Sequence, residues 1–136
     1  MISANTYLNF SGNCEEAFQF YEKTLGGKII MMHRMSDMPM PCPEGKEKQI
    51  AHIRMTIGDD ILMGSDSPSQ QHSKPSGFAV NVGVDTPEEA DRIFAALAEG
   101  GVAHMPIAET FWAHRFGMCT DRFGTPWMVN CEKPMQ

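Results

Sequence analysis

Several things are scarce in this chain, and each scarcity narrows the reading. Cys14, Cys42, Cys119 and Cys131 are its four cysteines, and they form no Cys-x-x-Cys pair and no dense framework. They read as reduced thiols of a cytoplasmic protein, not as a disulfide scaffold. Basic residues are outnumbered, 11 Lys and Arg against 17 Asp and Glu, for a net charge of -6. That balance argues against nucleic acid as a partner, because binding phosphate needs a basic surface. No apolar run is long enough to span a membrane. The N-terminus lacks a basic region followed by an apolar one, so no signal peptide is expected. The five histidines show no His-Glu-x-x-His or other paired metal spacing.

What is present is a pattern stated twice. Ser11 to Gly27 reads SGNCEEAFQFYEKTLGG, and Thr86 to Gly101 reads TPEEADRIFAALAEGG. Each copy opens on a capping residue, runs through Glu-Glu-Ala and closes on Gly-Gly. Asn13 with Glu16, and Thr86 with Glu89, have the spacing of a capping box. Pro87 suits the first helical position, and the acidic pairs lie at the positive end of each helix dipole. These glutamates therefore read as capping groups. Ala17, Phe18, Tyr21 and Leu25 form one apolar stripe, and Ala90, Ile93, Phe94 and Leu97 form the other. Gly26 and Gly100 are C-terminal stops.

Strand-like runs surround both helices. Asn5 to Phe10, Lys28 to Met35, Gln49 to Ile57 and Ile61 to Ser65 make the first set, with Gly58-Asp59-Asp60 as a hairpin turn. Ser36 to Lys48 holds three prolines and a glycine and reads as a loop, a candidate flap. Its methionines could line an adaptable apolar pocket or fill gaps in the core. Asp66 to Ser76 is polar and reads as a link. Gly77 to Val84, Val102 to Ala108, Thr110 to Cys119 and Trp127 to Cys131 make the second set, and Pro106 marks Val102 to Ala108 as an edge. A strand, a helix and three strands, twice over, predicts an α+β fold of two βαβββ modules, about 1–66 and 77–136, joined by a linker at about 67–76.

Alternation assigns faces. In Gln49 to Ile57, Ala51, Ile53, Met55 and Ile57 are expected under the helix, with His52, Arg54 and Thr56 opposite. Asn5, Tyr7, Asn9, His52, Arg54, Thr56, Asn81 and Asn130 all fall on the face away from the helices. This mixed set of Asn, Tyr and His is expected to line a small-molecule cleft, since ligand sites are concave with few polar groups. His52 and His114 are the histidines suited to acid–base work there. His33 and His104 read as structural or surface residues, and His72 as exposed. Trp112, His114 and Phe116 share a face if alternation holds, and would stack a planar ligand, plug the cleft or build a dimer contact. Asp121 fixes its own turn. Cys14, beside a helix start, reads as a packed cysteine or as a thiol with a lowered pKa.

The runs YLNFSGNCEEAFQFYEKTLGG, HIRMTIGDDILMGSD and ETFWAHRFGMCTDRFGTPWMVN together resemble the vicinal oxygen chelate superfamily, and within it the PhnB-like branch. The resemblance implies one curved eight-stranded mixed sheet with a helix per module on its outer face, and commonly a homodimer. It also implies one divalent metal held by His or Glu on four strands. Those four positions fall on Asn5, Met63, Ala79 and Met128, or on Asn81 and Asn130 if the last two strands slip by two. None is a His or a carboxylate, so no metal and no cofactor are expected. A ubiquinone-methyltransferase name often travels with this branch, yet no glycine-rich loop joins a strand to a helix as nucleotide binding needs. The expected ligand-binding set is Asn5, Tyr7, His52, Arg54, Met63, Asn81, Trp112, His114, Met128 and Asn130. The expected function is binding of an apolar or aromatic small molecule, with a lyase or isomerase using a cleft histidine as the alternative. Metal analysis of purified protein, with a thermal-shift screen of divalent cations, is expected to show no stoichiometric metal and no shift.

Overall fold

A computed structural model of the chain describes residues 1–67 and 73–134. Half of the expected linker, His72 included, lies outside the described residues. The chain divides into two compact units, Met1–Ser73 and Lys74–Gln136. The first contains β1 (Thr6–Phe10), α1 (Cys14–Leu25), β2 (Lys28–Arg34), β3 (Ile50–Ile57) and β4 (Asp60–Asp66). The second contains β5 (Val80–Gly83), α2 (Pro87–Ala98), β6 (Val102–Ala108), β7 (Ala113–Thr120) and β8 (Pro126–Glu132). These are the two expected βαβββ modules.

Each module is a four-stranded mixed sheet, ordered β1-β4-β3-β2 and β5-β8-β7-β6. The first strand pairs in parallel with the last, and the other pairs are antiparallel. The helix carries the chain across the sheet, as a parallel return demands. The Pro106-bearing strand β6 is an edge strand, as its proline predicts.

One face of each sheet is closed by its helix. Cys14, Ala17, Phe18, Tyr21 and Thr24 of α1 are buried, so Thr24 rather than Leu25 completes the stripe. Ala90, Ile93, Phe94 and Leu97 of α2 are buried as expected. In both modules a phenylalanine ring lies on a strand glycine. A Cβ on Gly64 would stand 2.7 Å from Phe18, and one on Gly117 would stand 2.8 Å from Phe94.

The helix starts differ from expectation. Thr86 caps α2, its hydroxyl accepting from the Glu89 amide at 3.2 Å. Asn13 makes no side-chain cap. Asp66 acts in its place. It is the last residue of β4 rather than linker, 3% exposed, and its carboxylate accepts from the backbone amides of Gly12 (2.8 Å), Cys14 (3.0 Å) and Ile50 (2.8 Å). Asp121 is also buried and does more than fix its turn. It accepts from the Phe123 and Thr125 amides, each at 2.9 Å, and from the Trp127 indole at 2.8 Å.

Other boundaries moved for local reasons. A pairing irregularity between His33 and Arg34 shifts β3, so Ile50 is buried in place of Ala51. Thr110 to Trp112 form a turn before β7, in which the Thr110 hydroxyl accepts from the Ala113 amide at 3.0 Å. The Ser36–Lys48 segment begins in a short 3-10 turn, Met35–Asp37, and its two ends are joined by Ser36 N–H donating to the Glu47 carbonyl at 3.2 Å. Arg34 holds its base, bridging Glu15 of α1 at 2.8 Å and donating to the Lys48 carbonyl at 2.8 Å. Met38 and Met40 of this segment are exposed.

Replacing Asp66 with Ala leaves three backbone donors without their acceptor. The expected loss is roughly 3 kcal/mol in urea unfolding, at 1–3 kcal/mol for each unsatisfied buried group and with some donors regaining water.

Candidate functional site

The helix-free face of the first unit is built by register. Tyr7 pairs with Met63, Met63 with Arg54, and Arg54 with Met31 across β1, β4, β3 and β2. Next to this row lie Asn9, paired with Ser65, and His52, paired with His33. Residues opposite a pair point the same way, so one face gathers Tyr7, Met31, His52, Arg54 and Met63. Leu8, Ile53, Met55 and Leu62 take the other face, in the core under α1.

Two side chains define this surface. The Tyr7 hydroxyl and His52 Nδ1 are 3.3 Å apart, and their rings stack with centroids at 5.8 Å. Burial, the Arg54 guanidinium and His33 hold the imidazole below its ordinary value of 6.5. It is therefore neutral at neutral pH, and its Nδ1 can accept from the Tyr7 hydroxyl. Arg54 is half-buried. Its Nε is buried with no hydrogen-bond partner, and its Nη2 reaches only the Met63 thioether at 3.7 Å. Among the described residues no carboxylate forms an ion pair with it. Ion pairs elsewhere include Arg34–Glu15, Arg115–Asp91 and Lys133–Glu109.

In the second unit the helix-free face opens into a cavity of about 420 Å³ lined by Asn81, Gly83, Val84, Asp85, Asn130 and Glu132. The parallel β5–β8 ladder pairs Asn81 with Met128 and Gly83 with Asn130. Asn130 Nδ2 donates to Glu132 Oε1 at 3.1 Å, while Asn130 Oδ1 is buried without a partner. Gly83, Val84, Asp85 and Glu132 were absent from the expected set. Alternation two residues beyond Asn130 would have placed Glu132 on this face. Val84, expected as the last residue of the Gly77 to Val84 strand, and Asp85 lie past the end of β5 at Gly83, where alternation no longer holds.

The remaining expected residues are placed as follows. Asn5 precedes β1 and is exposed. Trp112 is 41% exposed, and its ring meets Phe116 edge-on at 5.4 Å and Phe111 at 4.8 Å. A pairing irregularity between Ala113 and Arg115 falls at His114, so the aromatic rings touch each other without sandwiching the imidazole. His104 accepts or donates at 2.7 Å to the Thr120 hydroxyl. The Cys14 thiol is pushed up by burial, with Asp66 and Glu15 adding to the effect. Its helix start therefore does not make it a thiolate, and it is a packed cysteine.

The metal implied by the resemblance does not fit these residues. Met63 contacts a guanidinium, which repels a cation, and Met128 offers a soft thioether to an ion that prefers oxygen or nitrogen. Among the described residues no three His, Cys, Asp or Glu side chains are grouped to hold a metal ion.

Residues 3–130 match the family model described as 3-demethylubiquinone-9 3-methyltransferase. Protein YjdN of Escherichia coli (strain K12) is 40% identical over 138 residues, 93% of each chain. Protein PA1353 from Pseudomonas aeruginosa has a solved structure that is 43% identical, with a TM-score of 0.91 over 98% of this chain and 100% of that one. A PhnB protein from Bacillus cereus, also titled a putative 3-demethylubiquinone-9 3-methyltransferase, is 27% identical, with a TM-score of 0.82 over 96% of this chain and 99% of that one. The fold alone is shared with the fosfomycin resistance protein FosX from Mesorhizobium loti. That chain is 12% identical, with a TM-score of 0.66 over 98% of this chain and 94% of that one.

The depressed pKa of His52 has a sign in stability. The unfolded chain binds a proton there more readily, so the contribution is complete above the unfolded value and is lost as pH falls through the folded one. An NMR titration of the His52 ring is expected to give a midpoint below 6.5, and Arg54→Gln is expected to raise it.

Proposed function

This chain belongs to the PhnB-like 3-demethylubiquinone-9 3-methyltransferase family of the vicinal oxygen chelate superfamily, and on that footing we propose that it binds a small molecule bearing an anionic group on an apolar or aromatic body. The observation that carries this reading is Arg54. A guanidinium presents five donors in a fixed fork that matches carboxylate and phosphate oxygens. Here the fork has a buried Nε without a partner and a thioether where an acceptor would be. Burying a polar group in this state costs free energy until an acceptor arrives. Met31 and Met63 supply adaptable apolar contact, and the Tyr7–His52 pair supplies a stacked platform for a planar body.

A methyltransferase activity is not part of this proposal, whatever the family's name. The strand-to-helix turns, Ser11-Gly12-Asn13 and Val84-Asp85-Thr86, hold no Gly-x-Gly-x-x-Gly cradle for a nucleotide. Assembly as a homodimer in the cytoplasm accompanies the proposal. The free state of Cys14, Cys42, Cys119 and Cys131 supports the reducing compartment alone, and size-exclusion chromatography with light scattering tests the dimer.

A second reading, lyase or isomerase, rests on His52. Its imidazole is neutral, and in the tautomer whose Nδ1–H donates to the Tyr7 oxygen the Nε2 lone pair has the properties of a general base.

Calorimetric titration with sodium benzoate, and with benzyl alcohol as the uncharged counterpart, tests the binding reading. Benzoate is expected to bind and benzyl alcohol to bind at least about tenfold more weakly, the scale of one charged hydrogen bond. Arg54→Gln is expected to remove the preference, and Arg54→Lys to restore part of it. Equal affinity of wild type and Arg54→Gln for benzoate overturns the proposal.

A further inference from the structure

The cavity of the second unit is chemically one-sided. Its lining offers the carboxylates of Asp85 and Glu132 and the amides of Asn81 and Asn130, with no cationic side chain among them. Asn130 is 9% exposed, so its amide has little access to water. Its Nδ2 is committed to Glu132 at 3.1 Å, and that bond assigns the amide's orientation, because the flipped amide would set its oxygen against a carboxylate. Oδ1 is then a buried acceptor without a donor, a state rare enough in folded proteins to need an explanation.

The space is suited to more than an ion. At about 420 Å³ the cavity is in the range of organic-ligand sites. Gly83, paired with Asn130 and therefore on the same face, has nothing within 4 Å of where a Cβ would stand. The unmet need is for hydrogen-bond donors beside two negative charges.

We propose that this pocket binds an organic ammonium ion, its N–H groups donating to Asn130 Oδ1 and its charge held by Asp85 and Glu132. An ammonium supplies several donors and a positive charge and brings no acceptor to compete with the lining. The net charge of -6 favours the approach of a cation. The inference stands on the second unit alone and does not depend on Arg54 binding an anion.

The test is an amide-detected NMR titration of the full chain with benzylammonium chloride, using benzyl alcohol as the uncharged counterpart. Shifts are expected at residues 81–85 and 130–132, including the Asn130 side-chain amide, and not with benzyl alcohol at the same concentration. Glu132→Gln is expected to weaken binding about tenfold, the scale of one charge-assisted bond. Gly83→Leu is expected to block it by filling the cavity. Arg54→Gln is expected to leave this titration unchanged, which separates the outcome from that of the benzoate experiment. Should Gly83→Leu fail to fold, Asp85→Asn takes its place with the same expected loss. The proposal is overturned by equal shifts with benzyl alcohol, by shifts scattered over every acidic surface, by wild-type affinity in the variants, or by magnesium chloride competing at equal concentration.

Discussion

The first unit depends on one buried carboxylate. Asp66 ends β4, and its two oxygens take backbone protons from three separate places: the turn after β1, the first residue of α1 and the first residue of β3. A carboxylate this far from water is tolerable only when its acceptor capacity is filled. The arrangement therefore acts in both directions. The chain must hold those three amides in place to keep the charge satisfied, and the charge holds the helix start to the sheet. Asp121 does the corresponding work in the second unit, where it takes two turn amides and the Trp127 indole.

The proposed binding surface follows from that anchorage. Ile50 N–H donates to Asp66, and the irregularity just beyond it sets which residues of β3 turn toward α1. Ile53 and Met55 go under the helix, and His52 and Arg54 are left on the open face. On the other side of the sheet Phe18 presses against Gly64, where any side chain would push helix and sheet apart. Close packing on one face therefore fixes the spacing of the groups on the other.

The two open faces carry opposite chemistry. The first holds a guanidinium among thioethers and aromatic rings, and burial together with the arginine's field keeps the neighbouring histidine neutral. The second holds acceptors around a cavity, with an amide oxygen still lacking a donor. In each case a buried polar atom is left for something outside the described residues to satisfy. Low local dielectric makes such an atom costly when unpaired and selective once paired.

The repeat, the helix stripes apart from Leu25, the glycine stops and the Pro106 edge were legible in the sequence, because each is a local rule of backbone geometry or of periodicity. Alternation also sorted Tyr7, His52, Arg54, Asn81 and Asn130 from the core residues around them. What sequence could not supply was anything that depends on distant segments meeting. Asp66 looked like linker because its partners are 16 to 54 residues away in the chain. Asn13 looked like the cap because capping rules see only the neighbouring turn. The Trp112–His114–Phe116 alternation broke at an irregularity that exists only through pairing with β8. The unpaired state of Arg54 Nε and of Asn130 Oδ1 is likewise a property of burial, which is decided when strands far apart in sequence close over the same atom. Periodicity established which residues face outward, and tertiary packing alone decided which of them were left without a partner.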